Sequence, residues 1–172
     1  MNRRNILRLS AIAALGLALL PNNGVAQQKT LKEQVVGTWL LVSAETTNKD
    51  GSKDHSFGPN PKGMVIFEAN GRYAQVNISA TMPKFASGNR MTGTADENKS
   101  VVQGSISYFG TWTIDDASKT MIQHVDASTF ALQAGTDLKR PITTLTADDL
   151  VITNPVSSAG GGSTGFTFKR VK

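Results

Sequence analysis

The sequence predicts an all-β protein, an antiparallel barrel of about eight to ten strands with one short helix. Three observations lead there. Downstream of Leu31 no long helical period occurs, whereas short runs that alternate apolar and polar residues recur between turn signals. Asn70-Gly71 sits between two β-rich runs, a strong short-range hairpin signal. The run from Ser105 to Asp115 alternates over its whole length. Ile106, Tyr108, Gly110, Trp112 and Ile114 share the face expected to look inward, and only Phe109 is out of pattern.

Val35 to Glu45 reads as the first strand and Thr46 to Lys62 as a polar loop punctuated by Gly and Pro. Met64 to Ala69 and Arg72 to Ser79 form the hairpin about Asn70-Gly71, expected as a type I′ turn because both residues tolerate positive φ. Thr81 to Gly93 has no clear period. Thr94-Ala95-Asp96-Glu97 has capping-box spacing, so the single helix begins there and ends near Gly104. After Ser105 to Asp115 come five further runs: Thr120 to Asp126, Thr129 to Ala134, Leu138 to Leu145, Leu150 to Asn154 and Thr164 to Val171. So many sequential strands favour closure, which removes exposed edges. Ser157 to Ser163 reads as a mobile connection rather than a phosphate cradle, since neither a Lys-Ser/Thr pair nor a helix follows it.

Met1 to Ala26 has the three parts of a secretory leader: a basic start at Arg3, Arg4 and Arg8, an apolar run from Leu9 to Leu20, and a small-residue exit at Gly24 and Ala26. The apolar run is shorter than the ~20 residues that a spanning helix needs. Cleavage is expected after Ala26. This leaves a barrel domain over residues 27–172, periplasmic or secreted, with no stable membrane span. Asn2-Arg3-Arg4-Asn5-Ile6-Leu7-Arg8 also resembles the twin-arginine motif, with Asn at the position where Ser or Thr is usual, so both export routes stay open. Three of the five excess positive charges lie in this leader. With 6% aromatic residues and no Lys/Arg run beside that, nucleic-acid binding is not expected. The chain has no Cys, so the domain is held by its core rather than by disulfides.

Gly37-Thr38-Trp39 opens the first strand, and Arg170 falls in the last, in line with Phe166 and Phe168. If those strands pair, Arg170 lays its guanidinium over Trp39 and closes one barrel end, a contact worth ~0.5–2 kcal/mol. This pairing of Gly37 and Trp39 with Arg170 resembles the signature of lipocalin and calycin barrels. More of the chain resembles one branch, the bacterial and fungal lipocalin-like domain family: Val36 to Ser43, Gly58 to Phe67 with Asn70 to Tyr73, Tyr108 to Trp112, His124-Val125-Asp126, and Gly135 to Arg140. The resemblance implies a small calycin-type barrel. The chain departs from the family where a histidine pair is common, because Gln123 precedes His124, and this weakens a metal or acid–base role there. Gly110-Thr111-Trp112 repeats the first Gly-Thr-Trp, and the plainer account is a glycine that lets a strand bend beside a tryptophan that fills a barrel end.

Two histidines and no Cys starve thiolate chemistry and multi-histidine metal sites of ligands, and no cofactor motif occurs. His55 belongs to a polar loop and is expected in solvent. His124 and Asp126 are two apart on a strand and share a face. The face is not decided by apolar content, and the resemblance favours an inward one, where Arg140 would neutralise Asp126 or an acidic ligand. Outward, solvated positions are the ordinary alternative. Serine hydrolysis lacks a Gly-x-Ser-x-Gly elbow.

A barrel of about eight strands has room for its own side chains or for one small ligand. The expected function is to bind a small hydrophobic or amphipathic molecule, with Phe67, Tyr73, Tyr108, Trp112, His124, Asp126 and Arg140 as candidate cavity residues. Two alternatives stand beside it. One is a cavity enzyme of isomerase or cyclase type, in which His124 or Tyr108 moves a proton and Arg140 steadies an oxyanion. The other is a structural or partner-binding envelope protein whose barrel is filled by side chains.

Overall fold

The computed structural model describes residues 29–172; the expected leader and its cleavage position lie outside the described residues. Nine strands follow a short opening helix, α1 (Leu31–Val35): β1 (Gly37–Thr47), β2 (Lys53–His55), β3 (Lys62–Phe67), β4 (Arg72–Ile78), β5 (Ser105–Asp115), β6 (Thr120–Ser128), β7 (Asp137–Leu145), β8 (Asp149–Asn154) and β9 (Ser163–Arg170). A second helix, α2 (Ala95–Gly104), precedes β5. Each strand from β3 to β9 pairs antiparallel with the next, β3 pairs with β1, and β9 returns to β1. The result is a closed barrel of eight strands with β2 outside it, holding the far end of β1 at Glu45 to Thr47.

Thr129 to Ala134 is not a strand. Residues Ala131–Gln133 form a 3₁₀ turn instead, and the Thr129 amide already donates to the Ser107 carbonyl as β6 leaves the sheet. Conversely, β2 forms inside the stretch expected as loop; its three residues are all exposed, so no apolar alternation marks it. The hairpin after β3 also differs from expectation. Gly71 donates to the Glu68 carbonyl and only Gly71 of the Asn70-Gly71 pair has positive φ, at 86°. That is a type I turn followed by a glycine bulge, the three-residue alternative to the type I′ turn.

Alternation builds the interior. Along β5, Tyr108, Gly110 and Trp112 are buried while Phe109, Thr111 and Thr113 are exposed. On β1, Trp39 and Leu41 point inward, a bulge between Leu41 and Ser43 shifts the phase, and Ala44 and Thr46 take over. One end of the barrel is packed solid. Trp39, Phe67, Tyr73, Trp112, Met121, Leu150 and Phe168 fill it, with the Phe67 and Trp112 rings 5.1 Å apart. Helix α1 covers this end, and its C-terminal carbonyls have found side-chain donors: Trp39 Nε1 donates to Val35 O at 2.8 Å and Arg170 Nη1 to Val36 O at 2.8 Å.

Both helices start with a complete capping box. In α2 the Thr94 hydroxyl accepts from the Glu97 amide at 3.2 Å, while Glu97 accepts from the Thr94 amide at 2.7 Å. Thr30 and Glu33 do the same for α1, a helix too short to show periodicity.

Candidate functional site

The opposite end of the barrel is not filled. A cavity of about 590 Å³ lies there, within the size range of small-molecule sites. Its walls come from the mouth-end halves of the strands: Asn77 on β4, Ser105, Ile106 and Tyr108 on β5, Asn154 on β8, Thr164 and Phe166 on β9, and Arg140 rising from β7. Three connections cover it. The last turn of α2 brings Val101, Val102 and Gln103; the 3₁₀ turn brings Phe130 and Gln133; the Gly/Ser-rich stretch brings Ser157, Ser158 and Ala159. The sequence treated that last stretch only as a connection, yet Ser157 is buried at the rim.

The rim and the interior differ in chemistry. Ile106, Val101, Val102, Phe130, Phe57 and Phe166 make an apolar collar. Asn77 stands opposite Ile106 at this collar, and further toward the packed end come the buried polar side chains of Gln75, Tyr108, Gln123 and Arg140. Gln75 Nε2 donates to Asn77 Oδ1 at 3.4 Å, and Arg140 Nε donates to Gln123 Oε1 at 3.3 Å. Burial pushes the Tyr108 phenol above its ordinary range, with the neighbouring Arg140 charge pulling partly the other way. Burial raises Tyr73 as well, so both phenols stay protonated donors. Tyr73 Oη, Gln75 Oε1, Asn77 Nδ2 and Gln123 Nε2 are buried without a partner.

Of the seven expected cavity residues, only Tyr108 and Arg140 line the cavity. Phe67, Tyr73 and Trp112 belong to the packed end instead, where Trp112 Nε1 donates to Glu68 O at 3.1 Å. His124 and Asp126 are on the outer wall. His124 Nδ1 lies 2.8 Å from Asp137 Oδ1, and Arg72 Nη1 donates to Asp126 Oδ2 at 2.8 Å. The cause is register. Trp112 pairs with Gln123 and Thr111 with His124, and directly opposed residues share a face, so the buried tryptophan puts Gln123 inside and His124 out. Asp126 therefore does not neutralise Arg140.

Sequence reasoning missed Asn77, Gln133 and Phe166 as lining residues. Alternation from Tyr73 along β4 marks Gln75 and Asn77 as inward, against the apolar pull of Val76 and Ile78. His55 is exposed on β2. Among the described residues no cluster of three or more His, Cys, Asp or Glu is placed to hold a metal ion. No helix among them is long and apolar enough to cross a membrane.

At the packed end, the Arg170 guanidinium carbon lies 3.9 Å from the centre of the Trp39 ring, the contact expected from strand alternation. Gly37 has φ of 135°, and a Cβ there would stand 2.8 Å from Arg170 Nη1, so the glycine makes room for the stacked arginine.

The model of the lipocalin-like domain family matches residues 36–170, from the residue before β1 to the end of β9. Among solved structures, a lipocalin-like protein from Bacteroides uniformis is 13% identical, with 80% of this chain and 99% of that chain covered and a TM-score of 0.43. A redesigned β-barrel is 17% identical, covering 82% of this chain and 95% of its own, with a TM-score of 0.41. No curated protein matches.

Proposed function

The chain belongs to the lipocalin-like domain family, and from that premise we propose that it is an exported barrel that holds one small amphipathic molecule in its mouth-end cavity without altering it. The observation that carries this reading is the division of the barrel into a packed half and a hollow half. A barrel with only a structural role has no need for about 590 Å³ of space above a layer of buried, unpartnered polar atoms.

Binding without chemistry is favoured over the enzymatic use of the same cavity. His124, the proton carrier that the sequence offered, is on the outer wall, and burial keeps the Tyr108 proton in place. The leader motif over residues 1–26 supports export, which an intact-mass measurement of the protein recovered from outside the cytoplasm tests. Loss of Met1 to Ala26 is the expected result, and a mass retaining them contradicts export by cleavage.

Native mass spectrometry of protein purified without detergent tests the binding reading. The expected spectrum shows a reproducible adduct that leaves on denaturation and is absent from a variant whose cavity is filled, such as Ala159→Trp. A bare protein mass, with no thermal shift from any of a panel of amphiphiles, contradicts it.

A further inference from the structure

Arg140 is 2% exposed, yet none of the ion pairs among the described residues includes it. Residues 1–28 contain no Asp or Glu, so they have no carboxylate side chain to give it either. A buried charge without a counter-ion costs several kcal/mol after relaxation, and folds rarely keep one without a use. The neighbouring side chains do not neutralise the charge; they are arranged around it. Gln123 accepts from Nε, which orients the guanidinium, and Gln75 donates to Asn77 Oδ1, which leaves Asn77 Nδ2 free. Asn77 Nδ2 and Gln123 Nε2 are both buried donors with no acceptor. One unpartnered acceptor, Gln75 Oε1, stands beside these two donors, so the layer keeps an excess of free N–H groups together with one uncompensated positive charge, and what is missing is one negative charge bearing acceptor oxygens.

We infer that the ligand is a singly charged carboxylate amphiphile that enters head first, its carboxylate held by Arg140 with Asn77 and Tyr108 and its apolar tail against the collar of Ile106, Phe130 and Phe166. This rests on the binding reading above and names the ligand class for that site. A carboxylate suits a planar guanidinium, which can meet both oxygens at once. A doubly charged phosphate would leave one uncompensated negative charge in the same layer, which the single arginine does not balance. The direction of entry follows from the layout: Asn77 pairs with Ile106 at the collar, Tyr108 is one inward position deeper along β5, Arg140 springs from a β7 position paired with Met121 of the packed end, and that end closes the route beyond.

Isothermal titration of the purified protein with decanoate, decan-1-ol and decylammonium tests this, since the three share one tail. Decanoate is expected to bind at least about 10-fold more tightly than decan-1-ol, the range of a hydrogen bond to a charged group, with decylammonium weakest. Arg140→Met is expected to bring decanoate down to the affinity of decan-1-ol while leaving the alcohol unchanged. Should that variant fail to fold, the ranking on the wild-type protein and on Arg140→Gln decides. Equal affinity for decanoate and decan-1-ol overturns the headgroup assignment and leaves the cavity reading intact, as does a preference that survives Arg140→Met. Binding of none of the three overturns both.

Discussion

Arg170 stacks on Trp39 at 3.9 Å and also ties two segments to the packed end through three carbonyls: its Nε donates to Ala147 O in the turn after β7 at 2.7 Å, and at the end of α1 its Nη1 donates to Val36 O at 2.8 Å and its Nη2 to Gln34 O. Cation–π attraction and the hydrogen bonding of helix-end carbonyls thus act through one side chain. Arg170→Ala is expected to lower unfolding free energy by about 2–3 kcal/mol, and Arg170→Lys by less, because the charge stays while the fork is lost. Gly37→Ala should cost about 1–3 kcal/mol through strain at positive φ and the approach to the guanidinium. Urea denaturation checks all three, and an Arg170→Ala midpoint equal to wild type would show that the stack is ornamental.

Tyr73 and Tyr108 are the chain's two tyrosines, both buried in the barrel and both pushed up by that burial. A raised folded pKa means that their contribution to stability is complete below the ordinary value of 10.0 and is lost as pH rises above it. Phenolate absorbance should therefore show no step at the ordinary pH and should rise only together with loss of the β-sheet circular dichroism signal. A tyrosine that titrates near 10 while the sheet persists would contradict the burial of at least one ring.

Glu97 links the cavity cover to the segment before it. One carboxylate oxygen accepts from the Ala86 amide at 2.8 Å and the other from the Thr94 amide at 2.7 Å. These backbone hydrogen bonds, Ala86 first, hold the Glu97 carboxyl below its ordinary 4.5. The stabilisation is present above that value and is lost as pH falls through the depressed one. The protection factors of the Ala86 and Thr94 amides, taken relative to their intrinsic exchange rates, should fall as Glu97 is protonated, and Glu97→Gln should remove that pH dependence. Protection factors unchanged by acid in the wild-type protein would sever this link.

On the outer wall, His124→Ala removes an exposed contact with Asp137 and Asp126→Asn an exposed ion pair with Arg72, contacts of a kind worth about 0–1 kcal/mol. Neither substitution should alter retention of a cavity ligand. A loss of ligand in His124→Ala, at unchanged stability, would place the imidazole inside the barrel.

What was legible in the sequence follows from which signals are local. The β5 alternation, the Thr94 capping box and the Trp39–Arg170 contact each depend on a few residues and a period, and each appears in the structure. Strand phase on β6 is different. Met121 and Val125 make the first set the more apolar, two residues against Ile122 alone, but Gln123 at its centre and Ile122 on the opposite face blur the signal, and the pairing with β5, counted back from the Asp115 to Thr120 turn, fixes Met121, Gln123 and Val125 inside. The aromatic residues misled for a related reason. Alternation does turn Phe67, Tyr73 and Trp112 inward, but whether an inward residue fills the core or lines a cavity depends on its level along the barrel axis, which alternation does not carry. The buried polar layer was hidden because Gln75 and Asn77 compete with Val76 and Ile78 for the inward face, and the register with β3 and β5 settles it for the polar pair.

Whether the hollow half of the barrel receives a small molecule is tested most directly by backbone amide chemical shifts recorded during titration with decanoate or decan-1-ol, whichever binds more tightly. Saturable shifts are predicted at Ile106, Tyr108, Phe130, Gln133, Ser157 and Phe166, around the cavity, with Trp39, Trp112 and Arg170 at the packed end unmoved. Shifts confined to the outer wall around His124 and Asp126, or no saturable shifts at the mouth, would contradict binding there.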